Sequence, residues 1–255
     1  MITILITLGV SILINLVMFF VAYNLRTDKL TDISYALTFV TLAFYGLINS
    51  NKSISAILLT VMICIWALRL GIYLLQRIRK IGKDNRFDDK RDNFLSFLGF
   101  WLLQGITVWV VMIPSNLFYI FNVKGISLIS IIGLFVWFVG LLIEGFSDYQ
   151  KFLFKNDKKN KGKWIDIGLW KYSRHPNYFG EIMLWFGVYL FTLSGLSFNQ
   201  GLIALIGPIY IAVLLIFVSG IPLLEKSSDK KWGENKKYQE YKKATSILIL
   251  LPKRK

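Results

Sequence analysis

ITILITLGVSILINLVMFFVAY, residues 2–23, runs without a single Asp, Glu, Lys or Arg. About 20 apolar residues in a helix cross the hydrocarbon core of a bilayer, so this run alone has spanning length. Six more apolar runs follow: Ile33–Leu47, Ile54–Leu75, Phe94–Ile113, Ile126–Phe146, Ile182–Leu196 and Leu202–Leu224. The second and sixth are short and call for tilt or help from neighbours. Ile2–Tyr23 has no basic stretch before it and no small-residue cleavage pattern, so it is expected to be an anchor and not a removed signal. The expected fold is all-α, a polytopic integral membrane bundle of about seven transmembrane helices, in a single transmembrane domain over 1–255.

Composition agrees. Of 255 residues, 55% are hydrophobic and the mean hydropathy is +0.54, well above a soluble globular domain. The lone cysteine, Cys64, can make neither an intrachain disulfide nor a thiolate metal site, and one histidine excludes a multi-histidine centre. No HExxH, GxGxxG, GxxxxGK[ST] or GxSxG string occurs.

The charge is strongly asymmetric. Of 30 Lys and Arg, seven lie between Gln76 and Asn93, eight between Ser147 and Gly180, and ten after Leu224. With seven spans these segments share one membrane face. Asn49–Ser53, Pro114–Gly125 and Ser197–Gly201 are then the opposite loops, with only Lys52 and Lys124. The positive-inside rule makes the basic face cytoplasmic and puts the N-terminus outside. The net charge of +15 then needs no nucleic acid: topology and attraction to anionic membrane lipids account for it, and part of it is available to an anionic ligand.

Three clusters could carry chemistry. Arg69 lies inside the third run, where a charge usually faces a polar interior. With Tyr73, Gln76 and Lys80 it forms one helical stripe, which snorkelling to the interface also explains. GKDNRFDDKR, residues 82–91, follows with Arg86 among acids. EGFSDYQKFLFK, residues 144–155, spaces Glu144, Asp148, Lys151 and Lys155 on one helical face. Carboxylates near the membrane with amines beyond suit a nucleotide, and equally an ion-paired helix end. In KYSRHPNYFGE, residues 171–181, Pro176 forces a turn before the next span, with Asn177 as a candidate cap and Glu181 one turn in. A helix start attracts anions, and Arg174, His175 and Tyr178 crowd that end. A cap with an aromatic belt needs Asn and Tyr, but not Arg, His and Glu.

These segments carry a resemblance. YSRHPNYFGE and GENKKYQEYKKAT (233–245), with RLGIYLLQRIRKIGKDNRFDD (69–89), LLQGITVWVVMIP (102–114), EGFSDYQKFLFK and SGIPLLEK (219–226), resemble the bacterial DUF1295 family. That family is similar to steroid 5α-reductases, and more distantly to sterol reductases and isoprenylcysteine carboxyl methyltransferases. The resemblance covers most of the chain from residue 33 to 255. It implies a helical bundle with a cytoplasmic cavity for NADPH and an apolar, lipid-like enone taken from the membrane. It implies Asp148 and Lys155, with Glu144, at the nucleotide, and Asn177 and Glu181 at the nicotinamide end, beside Arg174, His175 and Tyr178. Tyr241 matches the tail tyrosine of the pattern, and Arg69 and Arg86 are further cofactor candidates. The expected acid at the substrate carbonyl is Glu181, Tyr35 or Asp32.

The sequence also departs from its relatives. The steroid enzymes carry a glutamate in the second span, where Ile33–Leu47 has none, and Asp32 and Tyr35 are the nearest substitutes. Glu144 stands where those enzymes have asparagine. The tail proline, Pro252, comes two places late after Thr245, so different tail docking is expected. The acidic pair of the methyltransferases survives only as Glu225 before Lys226. An S-adenosylmethionine-dependent lipid methyltransferase and a non-enzymatic lipid-binding membrane protein are the alternative expectations.

Overall fold

A computed structural model describes residues 2–81, 93–122 and 125–253, without the side chains of Arg79 and Ile81. Among the described residues every regular element is helical: α1 (Ile2–Asn24), α2 (Leu30–Ile48), α3 (Ile54–Ile81), α4 (Phe94–Val111), α5 (Ile113–Phe121), α6 (Leu128–Asn156), α7 (Pro176–Thr192), α8 (Phe198–Ala204), α9 (Ile206–Val213), α10 (Ile221–Trp232) and α11 (Lys236–Ala244). A π-turn, Leu214–Val218, joins α9 to α10. Among the described residues six stretches are long and apolar enough to cross a membrane: Ile2–Asn24, Leu30–Ile48, Ile54–Ile78, Phe94–Val111, Leu128–Asn156 and Phe198–Trp232. The protein is a polytopic, all-α integral membrane protein. The expected sixth span starts earlier than its apolar run, at Pro176, and α7 has 17 residues, the lower limit for crossing.

Two of the expected loops are helical. Pro114–Gly125 holds most of α5, whose residues Pro114 to Tyr119 are all buried. Helix α4 stops because Pro114, three residues past its end, has no backbone donor to continue the ladder, and the chain resumes as α5 with Pro114 in its first turn. Ser197–Gly201 opens α8 through a capping box, Ser197 with Gln200.

The chain packs as two compact units, Met1–Gly133 with Val188–Gly207, and Leu134–Gly187 with Pro208–Lys255. In the first, Phe19 and Ala22 of α1 pack with Phe97 and Trp101 of α4. Phe39 of α2 meets Trp66 of α3 edge to face at 4.8 Å. Gly46 leaves room for the Tyr119 ring, which would clash with any Cβ there. The Tyr119 hydroxyl in turn lies 2.7 Å from Thr60 Oγ1.

A polar seam runs through this unit. Thr7, Ser11 and Asn15 sit four residues apart on α1, all buried, and therefore on one face. Ser11 Oγ donates to Gly105 O at 2.7 Å. The Gln104 amide donates to Asn15 Oδ1 at 2.9 Å and Ser34 Oγ at 2.8 Å, tying α4 to α1 and α2. Hydrogen bonds of this kind join helices where lipid supplies no hydrophobic drive.

In the second unit α6 and α7 cross at Gly140 and Gly180. A Cβ on Gly140 would stand 2.6 Å from Leu184 N, and one on Gly180 would stand 2.5 Å from Glu144 N. Only glycine permits such an approach, as at small-residue crossings generally. Around this crossing the segment 162–175 and the C-terminal tail are stitched together. Trp170 Nε1 donates to Ser147 O of α6 at 3.0 Å, and Tyr241 OH of α11 donates to Trp170 O at 2.9 Å.

Candidate functional site

The glycine crossing positions the candidate site. Glu144 lies one turn beyond Gly140 on α6, and Asp148 one turn beyond Glu144. Asn177 and Glu181 flank Gly180 on α7. Glu144 is 2% exposed and Asp148 4%, at the end of an apolar helix where an isolated carboxylate would be costly. Asn177 Nδ2 donates to Asp148 Oδ1 at 3.3 Å. That bond fixes the amide orientation, leaving Asn177 Oδ1 buried and, among the described residues, without a partner. Asn177 is therefore not the cap expected of it: the helix starts at Pro176, and the Asn177 side chain turns to α6. Glu181 is half-buried.

Immediately before α7, Arg174 Nη1 lies 2.7 Å from Glu225 Oε2, and His175 Nε2 lies 2.8 Å from Glu225 Oε1. Lys242 Nζ of α11 adds a contact to Glu225 Oε2 at 3.4 Å and another to Asp229 Oδ1 at 2.6 Å. Tyr178 stacks on the His175 ring, with centroids 5.7 Å apart and planes 11° from parallel. Burial lowers the His175 pKa from the ordinary histidine range, against the opposing pull of Glu225. Burial raises that of Tyr241, whose hydroxyl is engaged with Trp170 O. The Arg174 Nε and His175 Nδ1 atoms are buried without a hydrogen-bond partner among the described residues.

The tail docks despite its displaced proline. Arg174 N donates to Ser246 O at 2.8 Å, Ser173 Oγ to Leu248 O at 2.6 Å, and Leu251 N to Tyr172 O at 3.3 Å. Ser173 and Ser246 form an isolated parallel bridge, a backbone-mediated attachment that does not depend on the proline. The stripe on α6 diverges as it leaves the carboxylates. Lys151 lies over the Trp170 ring at 4.4 Å, a cation–π contact, and Lys155 is exposed.

The remaining candidates lie in the first unit. Asp32 on α2 pairs with Arg77 on α3 at 3.5 Å. The Tyr35 ring packs edge to face on Phe39 and Trp66, at 5.0 and 6.4 Å. Arg69 is half-buried on α3, and the helix continues twelve residues beyond it to Ile81. Arg86 lies outside the described residues. Glu225 received no site role from sequence, although its place in SGIPLLEK was noted. A single acid after an apolar run gives no sign of its partners, two of which, Arg174 and His175, lie 51 and 50 positions away.

Helix count, the glycine crossing and the buried carboxylate–amide pair define a class, polytopic membrane proteins with a polar site at one helix start. Within that class, the chain belongs to the family described as protein of unknown function (DUF1295), whose model matches residues 18–245. No curated protein matches the chain, and no solved structure does.

Proposed function

We propose that the protein is a membrane-embedded, NADPH-dependent reductase of an apolar, conjugated carbonyl substrate, steroid- or lipid-like. The observation that supports it best is the Asp148–Asn177 pair beside Glu144 and Glu181 at the glycine crossing. Structural packing alone needs Gly140 and Gly180 but no two buried carboxylates. The residues also fit the cofactor chemically: Asn177 Oδ1, His175 Nδ1 and Arg174 Nε are buried polar atoms that lack partners among the described residues, and a ligand's polar edge would satisfy them.

Bound NADPH would supply the hydride, delivered to the β-carbon of the enone. Arg174 just before α7, and Asn177 and Tyr178 on it, would hold the cofactor from one side, and Glu144, Asp148 and Lys155 from α6. Glu181, on the same face of the crossing, is the assigned acid, hydrogen-bonding the carbonyl oxygen as enolate charge develops. Arg69, Tyr35 and Asp32 enter this reading only through family resemblance. The orientation proposed is N-terminus outside, with basic segments facing the cytoplasm of a bacterial cell and meeting anionic lipid.

One observation favours a second reading. Glu225 contacts both Arg174 and His175, and it is the acid that survives from the methyltransferase tail pattern, so S-adenosylmethionine is the rival cofactor. Calorimetry on the solubilised protein separates the two. NADPH binding that weakens as salt rises supports the reductase, and tight S-adenosylmethionine binding with none for NADPH overturns it.

A further inference from the structure

Two helices fix the depth at which the C-terminal tail lies. Along α6 the rise from Leu128 to Ser147 is about 28 Å at 1.5 Å per residue, close to the thickness of the hydrocarbon core. Helix α7 has 17 residues, about 25 Å, so its first residue, Pro176, stands at the edge of that core. The bond from Asn177 on α7 to Asp148 on α6 keeps the two ends level. Just outside this boundary the chain holds its own tail by backbone groups: Arg174 N donates to Ser246 O, Ser173 Oγ to Leu248 O and Leu251 N to Tyr172 O. Arg174 precedes Pro176 by two residues and is at most about 7 Å from it along the chain. The headgroup layer is about 5–8 Å deep on each side. The tail is therefore pinned at headgroup depth.

What is pinned there is apolar. Residues 247–251 read ILILL, and the bonds that hold them leave Ile247, Ile249 and Leu251 exposed at 45%, 51% and 44%. Single exposed apolar residues need no explanation, but a fixed run of them marks a surface that another apolar phase covers. Charge identifies that phase. Residues 241–255 carry five Lys and Arg and no Asp or Glu. Glu225 and Asp229 engage Lys242, whereas Lys243 and Lys253, on either side of the run, are exposed. A leaflet with anionic headgroups offers acyl chains and phosphates at one depth, and so matches both features. We propose that residues 247–251 form an interfacial insertion segment: Ile247, Ile249 and Leu251 enter the acyl boundary of the leaflet at the start of α7, and Lys243 and Lys253 meet anionic lipid headgroups. The tail is then held from two sides, by backbone bonds to residues 172–174 and by the bilayer. This holds whether or not the protein is a reductase.

The test labels the full-length protein with nitrobenzoxadiazole at Ile249→Cys, in a Cys64→Ala background that leaves no other thiol. The side chain at 249 is half exposed, so the label does not enter the core. A label at Glu234→Cys, in the exposed turn between α10 and α11, is the water-side control. Both proteins are placed in nanodiscs of phosphatidylcholine and of an equal mixture with phosphatidylglycerol. Quenching is read from water with iodide and from the bilayer with doxyl-labelled phosphatidylcholine. In the mixture, position 249 is expected to be quenched by the doxyl lipid and to be severalfold less sensitive to iodide than position 234. Without phosphatidylglycerol, iodide quenching at 249 should recover in part. Iodide quenching at 249 equal to that at 234 puts the run in water and overturns the proposal. Protection from iodide without doxyl quenching means that protein covers the run, whether a second copy or this chain, and overturns it too. Equal protection in the two lipid compositions overturns the assignment of anionic headgroups as the partner of Lys243 and Lys253.

Discussion

Gly140 of α6 and Gly180 of α7 meet backbone to backbone: a Cβ on Gly180 would stand 2.7 Å from Gly140 O, and one on Gly140 would stand 2.8 Å from Gly180 O. The obstacle is main chain on both sides, so no side-chain movement relieves it. Gly180→Ala is expected to cost about 1–3 kcal/mol, the usual penalty for overpacking, and to push Asn177 and Glu181 away from α6. Thermal denaturation in detergent measures the first effect and cofactor titration the second. Wild-type melting in Gly180→Ala would mean that the helices do not cross here.

The polar seam of the first unit gives an independent check on packing. Gln104→Leu strands Asn15 Oδ1, which receives the amide at 2.9 Å, and removes the 2.8 Å donation to Ser34 Oγ, whose own bond to Thr31 O remains. Interhelical hydrogen bonds in membranes are worth about 0.6 kcal/mol on average, with about 1.7 kcal/mol as the upper end. Losing two such bonds and leaving Asn15 Oδ1 unpaired places Gln104→Leu near that upper value. Cofactor affinity is the control and should hold, since every partner of Gln104 named here lies outside the candidate site. A melting temperature equal to wild type would remove the seam's structural role.

Tail attachment is tested at Tyr241, whose buried hydroxyl donates to Trp170 O. Tyr241→Phe removes the donor and leaves that carbonyl short of a partner, at about 1–3 kcal/mol. Protease cleavage after Lys242 or Lys243 should accelerate as the tail detaches from residues 172–174. Unchanged proteolysis would show that the Ser173–Ser246 bridge and its neighbouring backbone bonds hold the tail without Tyr241.

The pH response follows from His175. Its pKa is lowered in the folded state by burial, while Lys151 and Arg174 add repulsion and Glu225 opposes both. In the unfolded chain it titrates at about 6.5. The unfolded state therefore binds more protons as pH falls below that value. Stability from this group is complete above about pH 6.5 and is lost progressively below it. Melting temperature should fall between pH 7 and pH 5, less steeply in His175→Phe than in wild type. Parallel slopes would assign the acid sensitivity to other groups.

Much of the fold was visible in the sequence because apolar runs of spanning length leave few alternatives to membrane helices. Boundaries were less visible. Hydropathy alone put the sixth apolar run at Ile182, because polar residues in a first turn do not register as membrane, whereas the proline placed the helix start at about Asn177, one residue from the Pro176 observed. Helix α5 was hidden behind Pro114, Ser115, Asn116 and Asn122, which look like a loop in sequence but are buried against neighbouring helices. Of the site, the α6 stripe was legible as far as Glu144 and Asp148, which helical spacing puts on one face. The orientation of Asn177 was not, because it depends on Asp148, a residue 29 positions away. The spacing of Thr7, Ser11 and Asn15 was a signal in plain view, since three polar residues at intervals of four in an apolar span mark an inward face.

Asn177 and Glu181 decide between a site and a well-packed helix start. If Asn177 only secures α7 to α6 through Asp148, then Asn177→Ala should cost about 0.5–1.5 kcal/mol, the net worth of a hydrogen bond. It would leave a buried carboxylate less well satisfied, raising that figure somewhat, and would leave Glu181→Gln nearly silent. A ligand site predicts something different. Glu181→Gln keeps size and shape and should melt within about 0.5 kcal/mol of wild type, as neutral substitutions do, yet lose turnover by 100-fold or more if its proton serves the carbonyl oxygen. Asn177→Ala should weaken NADPH by about tenfold beyond what its stability loss explains, since one polar contact is worth about 1.4 kcal/mol in binding. Melting curves and NADPH titrations on the same preparations give the Asn177→Ala quantities without knowledge of the substrate, and the Glu181→Gln loss is read as NADPH oxidation with a conjugated-carbonyl substrate. Full affinity in Asn177→Ala, with a stability loss no larger than one hydrogen bond, would reduce the Asp148–Asn177 pair to a helix fastener.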